Sequence, residues 1–194
     1  VLASASTSRA ALLRAAGLRF DARPAAIDEA PLKIALRAAG GSAEDAALAL
    51  ADQKAAAVAA LRPDALVIGA DQILVAGRHW FDKPDTLAAA AGHLRTLSGR
   101  THRLATAVVL RQGDAVLWHH VVSPRLTMRP LSETFLAAYL AAEGEAVCAS
   151  VGAYRLEGIG AHLFVAIAGE HAAILGLPLL ALLAELRRRR LVLT

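Results

Sequence analysis

The sequence predicts a mixed α/β fold, and three observations carry that prediction. Short apolar runs of strand character alternate with helical stretches that carry their own start and stop signals. No internal repeat and no flexible linker interrupts the alternation. The 194 residues are 56% hydrophobic and 20% charged, which suits one domain, 1–194, with ample chain to bury a core.

Taken in order, Ser4 to Ala16 reads as a loop entering a helix that Gly17 closes. An extended stretch over Leu18 to Ala22 follows, then a loop carrying Asp28, Glu29 and Pro31. Ser42-Ala43-Glu44-Asp45 resembles a capping box and opens an alanine-rich helix to about Arg62, stopped by Pro63. Ala65 to Ala70 is a short apolar run of the buried-strand type. Beyond Asp71, Ile73-Leu74-Val75 and the turn at Ala76-Gly77-Arg78 predict a hairpin toward Trp80. Pro84 suits the first turn of a helix running to Ser98, with Gly99 after it. Strands over Thr101 to Leu110 and Ala115 to Thr127 flank the Gln112-Gly113-Asp114 turn. Ser132 caps a helix to about Glu143. A glycine-rich segment, Gly152 to Gly160, precedes a strand over Leu163 to Ala168, and the last helix starts near Pro178.

Composition narrows the function classes. Mean hydropathy is +0.46, but 47 alanines inflate it. No run approaches the roughly 20 apolar residues of a spanning helix, and the long apolar stretch Ala172 to Ala184 is broken by Gly176 and Pro178. No membrane association is expected. One cysteine, Cys148, excludes an internal disulfide framework and reads as an inert core residue. Val1-Leu2-Ala3-Ser4 has no secretory signal character, so a cytoplasmic protein is expected. The missing initiator Met leaves residues expected upstream.

The net charge is +4, which permits a polyanionic partner. Four of the basic residues form the run Arg187 to Arg190, which suits a solvated helix end complementing the dipole. Aromatics are few, at 4%, so no specific nucleic-acid partner is expected. The basic set holds 18 arginines and only three lysines, Lys33, Lys54 and Lys83. Such bias marks these lysines as positions where a compact ammonium is wanted.

Two constellations carry candidate chemistry. Ser4-Ala5-Ser6-Thr7-Ser8-Arg9 brings hydroxyls, a helix N-terminus and a guanidinium fork to one place. That is an anion site or an over-provisioned N-cap. The second is Asp71 with Gln72, just beyond a buried strand, where ligands of open sheets sit or where an Asp caps a turn. Glu29, Lys54 and Lys83 are candidates to converge on it. Two carboxylates with several cations suit metal-assisted phosphoryl hydrolysis. Pro84 restricts the Lys83 backbone and helps aim its ammonium. The histidines lack metal-site spacing, and no Gly-x-Ser-x-Gly elbow supports a serine hydrolase.

The motifs together resemble the Maf family: Leu2-Ala3-Ser4-Ala5-Ser6 with Arg9, Val67-Ile68-Gly69-Ala70-Asp71, Lys83-Pro84, Leu97-Ser98-Gly99, Gly152-Ala153-Tyr154, Gly158-x-Gly160 and Gly176-Leu177-Pro178. The resemblance implies an α/β fold like that of inosine-triphosphate pyrophosphatases. That fold is an elongated mixed β-sheet flanked by helices, with two lobes and a central cleft. It implies a cytosolic nucleoside triphosphate pyrophosphatase, in a family linked to house-cleaning and septum formation. Asp71 matches the proposed proton acceptor, and Arg9, Glu29, Lys54 and Lys83 match polar cleft residues. Many members carry a second basic residue after the arginine; here it is Ala10, with Arg14 as a candidate substitute.

Branches of the family differ at positions matching Ser8, Gln72 and Glu157, and the Gln72 and Glu157 pair resembles the 7-methyl-GTP branch. A carboxylate accepts from both N1–H and the amino group of guanine, and N7 methylation strengthens those donors. Ser8 is less decisive, because that branch often has a larger residue there. The resemblance thus implies cleavage between the α- and β-phosphates of 7-methyl-GTP or another modified nucleotide. Asp71 takes the water proton. Arg9, Lys54 and Lys83 stabilise phosphate charge, and Ser4, Ser6, Ser8, Gln72 and Glu157 bind substrate. Glu29 and Asp71 are expected to hold a divalent cation, Mg²⁺ or Mn²⁺. The alternatives are a dTTP/UTP pyrophosphatase of the same family and a non-catalytic nucleotide-sensing regulator of septum formation. The oligomeric state, a homodimer included, is left open.

Overall fold

A computed structural model describes residues 1–192. Seven α-helices and six strands occur among them: α1 Thr7–Ala15, α2 Ala30–Ala38, α3 Ala43–Leu61, β1 Val67–Ala76, β2 His79–Phe81, α4 Leu87–Leu97, β3 Thr101–Gln112, β4 Ala115–Val122, β5 Arg125–Met128, α5 Glu133–Glu143, β6 Phe164–Ala168, α6 His171–Ile174 and α7 Leu179–Arg188. Two 3₁₀ turns, Gly144–Ala149 and Ile159–Leu163, lie between α5 and β6. The mixed α/β class holds. The strands form one sheet in the order β2-β1-β3-β5-β6, with β4 also paired to β3. The pairs β1–β2, β3–β4, β3–β5 and β5–β6 are antiparallel. Parallel character enters at the N-terminus, where Leu2 bridges both Ile68 and Ala22.

Contacts divide the chain into two compact units. The first comprises Val1–Gln72, Ala105–Ser123 and the chain from Glu170 on; the second comprises Ile73–Leu104 and Pro124–Gly169. In the first unit Leu2, Leu13, Ile68, Val108, Leu110, Leu177, Leu182 and Leu186 form a buried cluster. Each such side chain contributes about 1.5–3 kcal/mol of transfer free energy. In the second, Leu94, Leu97, Leu104, Leu126, Met128, Leu136 and Leu163 are buried.

Several local signals act as expected. Ser6 accepts from the Arg9 N–H, Ser132 from the Phe135 N–H, and Ser42 with Asp45 forms a reciprocal capping box. Gly17 and Gly99 take positive φ after their helices.

Other boundaries differ. The stretch over Leu18 to Ala22 is reduced to the single bridge at Ala22. The segment read as a loop after Glu29 is helix α2, because Pro31 sits in the first turn, where its missing N–H costs nothing. Asp71 lies inside β1, not beyond its end. Helix α4 begins after Pro84, with Thr86 as its side-chain cap. The strand expected over Ala115 to Thr127 is two strands, β4 and β5, parted at Ser123-Pro124, where proline cannot donate to a ladder. The short α6 was not expected. Cys148 is half-buried in a 3₁₀ turn instead of in the core. No helix of the described residues is long and apolar enough to cross a membrane.

Candidate functional site

The site in the first unit is built by close packing of α3 on β1. The buried residues Ala43, Ala47, Ala51, Ala55 and Ala59 recur every fourth position along α3, which places them in one stripe. Gly69 of β1 meets that stripe so closely that a Cβ there would lie 2.1 Å from the Ala51 carbonyl oxygen and 2.8 Å from the Ala55 Cβ. Small residues on both sides thus let the helix backbone approach the strand. Lys54 borders the stripe, and Asp71 follows Gly69 by two residues.

This packing delivers an ion cluster. The Lys54 ammonium contacts Asp71 Oδ1 at 2.5 Å and Glu29 Oε1 at 2.8 Å. Glu29, at the N-terminal boundary of α2, also has Lys33 Nζ 3.7 Å from its Oε2, one turn along the helix. Asp71 is buried, and among the described residues its Oδ2 has no hydrogen-bond partner. One carboxylate oxygen is therefore held by the lysine, and the other keeps open lone pairs.

Arg9 is fixed beside this cluster. Its Nε donates to the Gly176 carbonyl at 2.8 Å and its Nη1 to Ser4 Oγ at 3.0 Å. Ser4 is buried and also accepts from the Ser6 N–H. Gly176 takes φ +103°, and a Cβ there would lie 3.2 Å from Arg9 Nε, so glycine serves both the backbone and the close approach. Burial pushes the Arg9 guanidinium below its ordinary value, and the charges of Asp71 and Glu29 oppose that shift. Ser8 is half-buried on α1. Arg14, the candidate substitute for a second basic residue, is exposed and lies over the Phe20 ring, 5.4 Å from its centroid.

Gln72 turns its amide nitrogen to the Thr106 hydroxyl and to the Ala173 and Ile174 carbonyls, at 2.9, 2.9 and 3.1 Å. A surface cavity of about 800 Å³ in this unit, lined by Phe20, Arg23, Val58 and Arg62 among others, includes none of the candidate residues.

Lys83 and Glu157 belong to the second unit. Lys83 is exposed, ahead of a buried Pro84. Glu157 is exposed on the segment from Gly152 to Gly160, which side chains pin in place. Tyr154 is buried with its hydroxyl 2.9 Å from His102 Nε2. Its ring packs where a Gly152 Cβ would stand, 2.1 Å from a ring carbon. Tyr139 donates to the Ala153 carbonyl at 3.4 Å, and Ala153 holds φ 56°, a left-handed conformation costly for any residue but glycine. Arg155 pairs with Glu143 at 3.1 Å and approaches Glu157 at 3.9 Å.

The structure thus brings Glu29, Lys54 and Asp71 into direct contact, with Arg9, Ser4 and Ser6 in a connected network. Sequence reasoning missed Lys33 and Thr106 as neighbours of these groups. Lys33 was flagged as one of three lysines, but its i,i+4 relation to Glu29 is visible only once α2 is a helix.

Among the described residues, no group of three His, Cys, Asp or Glu side chains forms a metal cage. Mg²⁺ is commonly held by one or two carboxylates together with substrate phosphates and water. Glu29 and Asp71, directly or through water, fit that mode.

The model of the family described as Maf-like protein matches residues 1–189. A protein of Rhizobium meliloti (strain 1021) named 7-methyl-GTP pyrophosphatase is 52% identical over 187 residues, covering 96% of this chain and 94% of the relative. Proteins named nucleoside triphosphate pyrophosphatase from Granulibacter bethesdensis and Hyphomonas neptunium are 49% and 48% identical; the matches cover 98% of this chain and 96% of each relative. The chain belongs to the Maf family.

Proposed function

We propose that this chain, a nucleoside triphosphate pyrophosphatase of the Maf family, acts on 7-methyl-GTP or a closely related modified guanine nucleotide, releasing the monophosphate and pyrophosphate. The observation that carries the catalytic assignment is the Glu29–Lys54–Asp71 cluster, in which a buried carboxylate has one oxygen held and the other open. Lys54 fixes the Asp71 carboxylate through Oδ1, so Oδ2 is the atom that takes a proton from the attacking water. Arg9, bound to Ser4 and the Gly176 carbonyl, supplies fixed positive charge for the phosphate oxygens. Lys83 is assigned a second phosphate contact. Glu29 and Asp71 would hold a divalent cation, Mg²⁺ or Mn²⁺, which would neutralise phosphate charge. Ser6 and Ser8 complete the hydroxyl-rich loop on the phosphate side.

The base assignment rests on Glu157 and Gln72, and the 52% identical relative named 7-methyl-GTP pyrophosphatase supports it. Guanine offers two donors to a carboxylate where uracil offers one N–H. The test is pyrophosphate release with Mg²⁺ from 7-methyl-GTP, GTP, UTP and dTTP, with Asp71→Asn as blank. Preference for 7-methyl-GTP that vanishes in the blank is expected. Preference for UTP or dTTP would discard the base assignment, and binding without release from any nucleotide would discard the enzyme.

A further inference from the structure

One buried polar group that contacts Gln72 is used by no part of the proposed chemistry. Thr106 is fully buried on β3. Its hydroxyl donates to the Ala173 carbonyl at 3.1 Å and accepts from the Gln72 amide nitrogen at 2.9 Å. The same nitrogen reaches the Ala173 and Ile174 carbonyls of α6. All three atoms facing it are therefore acceptors, because the Thr106 proton is already committed to Ala173. Turning the amide over would set Gln72 Oε1 against two carbonyl oxygens, so only one orientation is satisfied. In that orientation the NH₂ group is spent on the protein, and Oε1 is the atom left to meet another molecule.

We infer that Thr106 is a positioning residue for substrate selection: with the Ala173 and Ile174 carbonyls it fixes the Gln72 amide so that Gln72 presents an acceptor and favours a nucleotide that offers a donor to it. The inference rests on the reading of Gln72 as a substrate-binding residue. Thr106 itself touches no reacting atom. It acts through Gln72, and its hydroxyl matters because a methyl group of the same shape would neither accept from the amide nor donate to Ala173.

The experiment compares kcat/KM for 7-methyl-GTP and UTP in the wild type, Thr106→Val, Thr106→Ser and Gln72→Ala, with the melting temperature of each. Thr106→Val is expected to lower the 7-methyl-GTP to UTP ratio about fivefold, the loss expected of one buried hydrogen bond. Thr106→Ser keeps the hydroxyl and is expected to hold the ratio within about twofold. An unchanged ratio in Thr106→Val alongside a changed one in Gln72→Ala overturns the inference and leaves the reading of Gln72 intact. An unchanged ratio in Gln72→Ala overturns that reading and the inference with it. Should Thr106→Val fail to fold, the Gln72 side-chain amide protons of the wild type decide by ¹⁵N NMR. Protected protons support the clamp, and exchange as fast as that of an exposed glutamine overturns it.

Discussion

Two regions of this molecule are held by different means. In the first unit, Lys54 and Asp71 stand on regular elements, α3 and β1, and their contact follows from how closely those elements pack at Gly69. In the second, Glu157 stands on an irregular segment that is pinned by Tyr154 on His102, by Tyr139 on Ala153 and by Arg155 on Glu143. Backbone packing fixes the first to small tolerances, and a few side-chain anchors fix the second. In the proposed function, proton transfer draws on the tighter support, and recognition of a base on a loop that sequence change can retune.

Lys54→Met removes the shared counter-charge of Glu29 and Asp71, and breaking such a buried pair costs about 3–5 kcal/mol. Urea unfolding should show that loss together with a turnover falling about a hundredfold. A stability change below about 1 kcal/mol would show that the cluster is not a tightly coupled one.

The second region is sharpened by pH. Burial pushes the His102 imidazole down to about 4, against about 6.5 when unfolded. Above pH ~6.5 both states are neutral, and nothing changes with pH. Between there and about 4 the unfolded chain takes up a proton that the native chain refuses, so stability falls by up to about 3 kcal/mol. Subtracting the pH profile of His102→Gln from that of the wild type isolates this slope; a flat difference would contradict the buried neutral imidazole.

Gly69→Ala tests the packing seam. Overpacking there costs about 1–3 kcal/mol, and because the seam seats Lys54 against Asp71, turnover should fall with stability. Glu157→Gln is expected to do the reverse. As an exposed substitution it changes stability by less than about 0.5 kcal/mol, yet it shifts the 7-methyl-GTP to UTP ratio of kcat/KM by about tenfold. Calorimetry with steady-state kinetics on the pair checks both.

Much of the scaffold was legible because its signals are local. The Ser42/Asp45 box, the Ser132 cap and the Gly77-Arg78 turn act within a few residues of themselves. Helix α2 was missed because Pro31 reads as a loop residue until its place in the first turn is known. Asp71 concealed the continuity of β1, since a charge inside a buried strand is tolerated only with a partner, and that partner, Lys54, comes from another element. The alanines of α3 read as a composition bias, but their fourfold spacing against Gly69 makes them the seam that builds the cluster. Thr106 carries no local signal at all. Its role follows from carbonyls on α6 nearly seventy residues away.

The proposed function turns on the open oxygen of Asp71 taking the proton of the attacking water. Single-turnover pyrophosphate release from 7-methyl-GTP, measured beside nucleotide binding for the wild type and Asp71→Asn, tests it most directly. The account predicts retained binding and a release step slower by about 10²- to 10⁴-fold. Release at the wild-type rate from Asp71→Asn would contradict it.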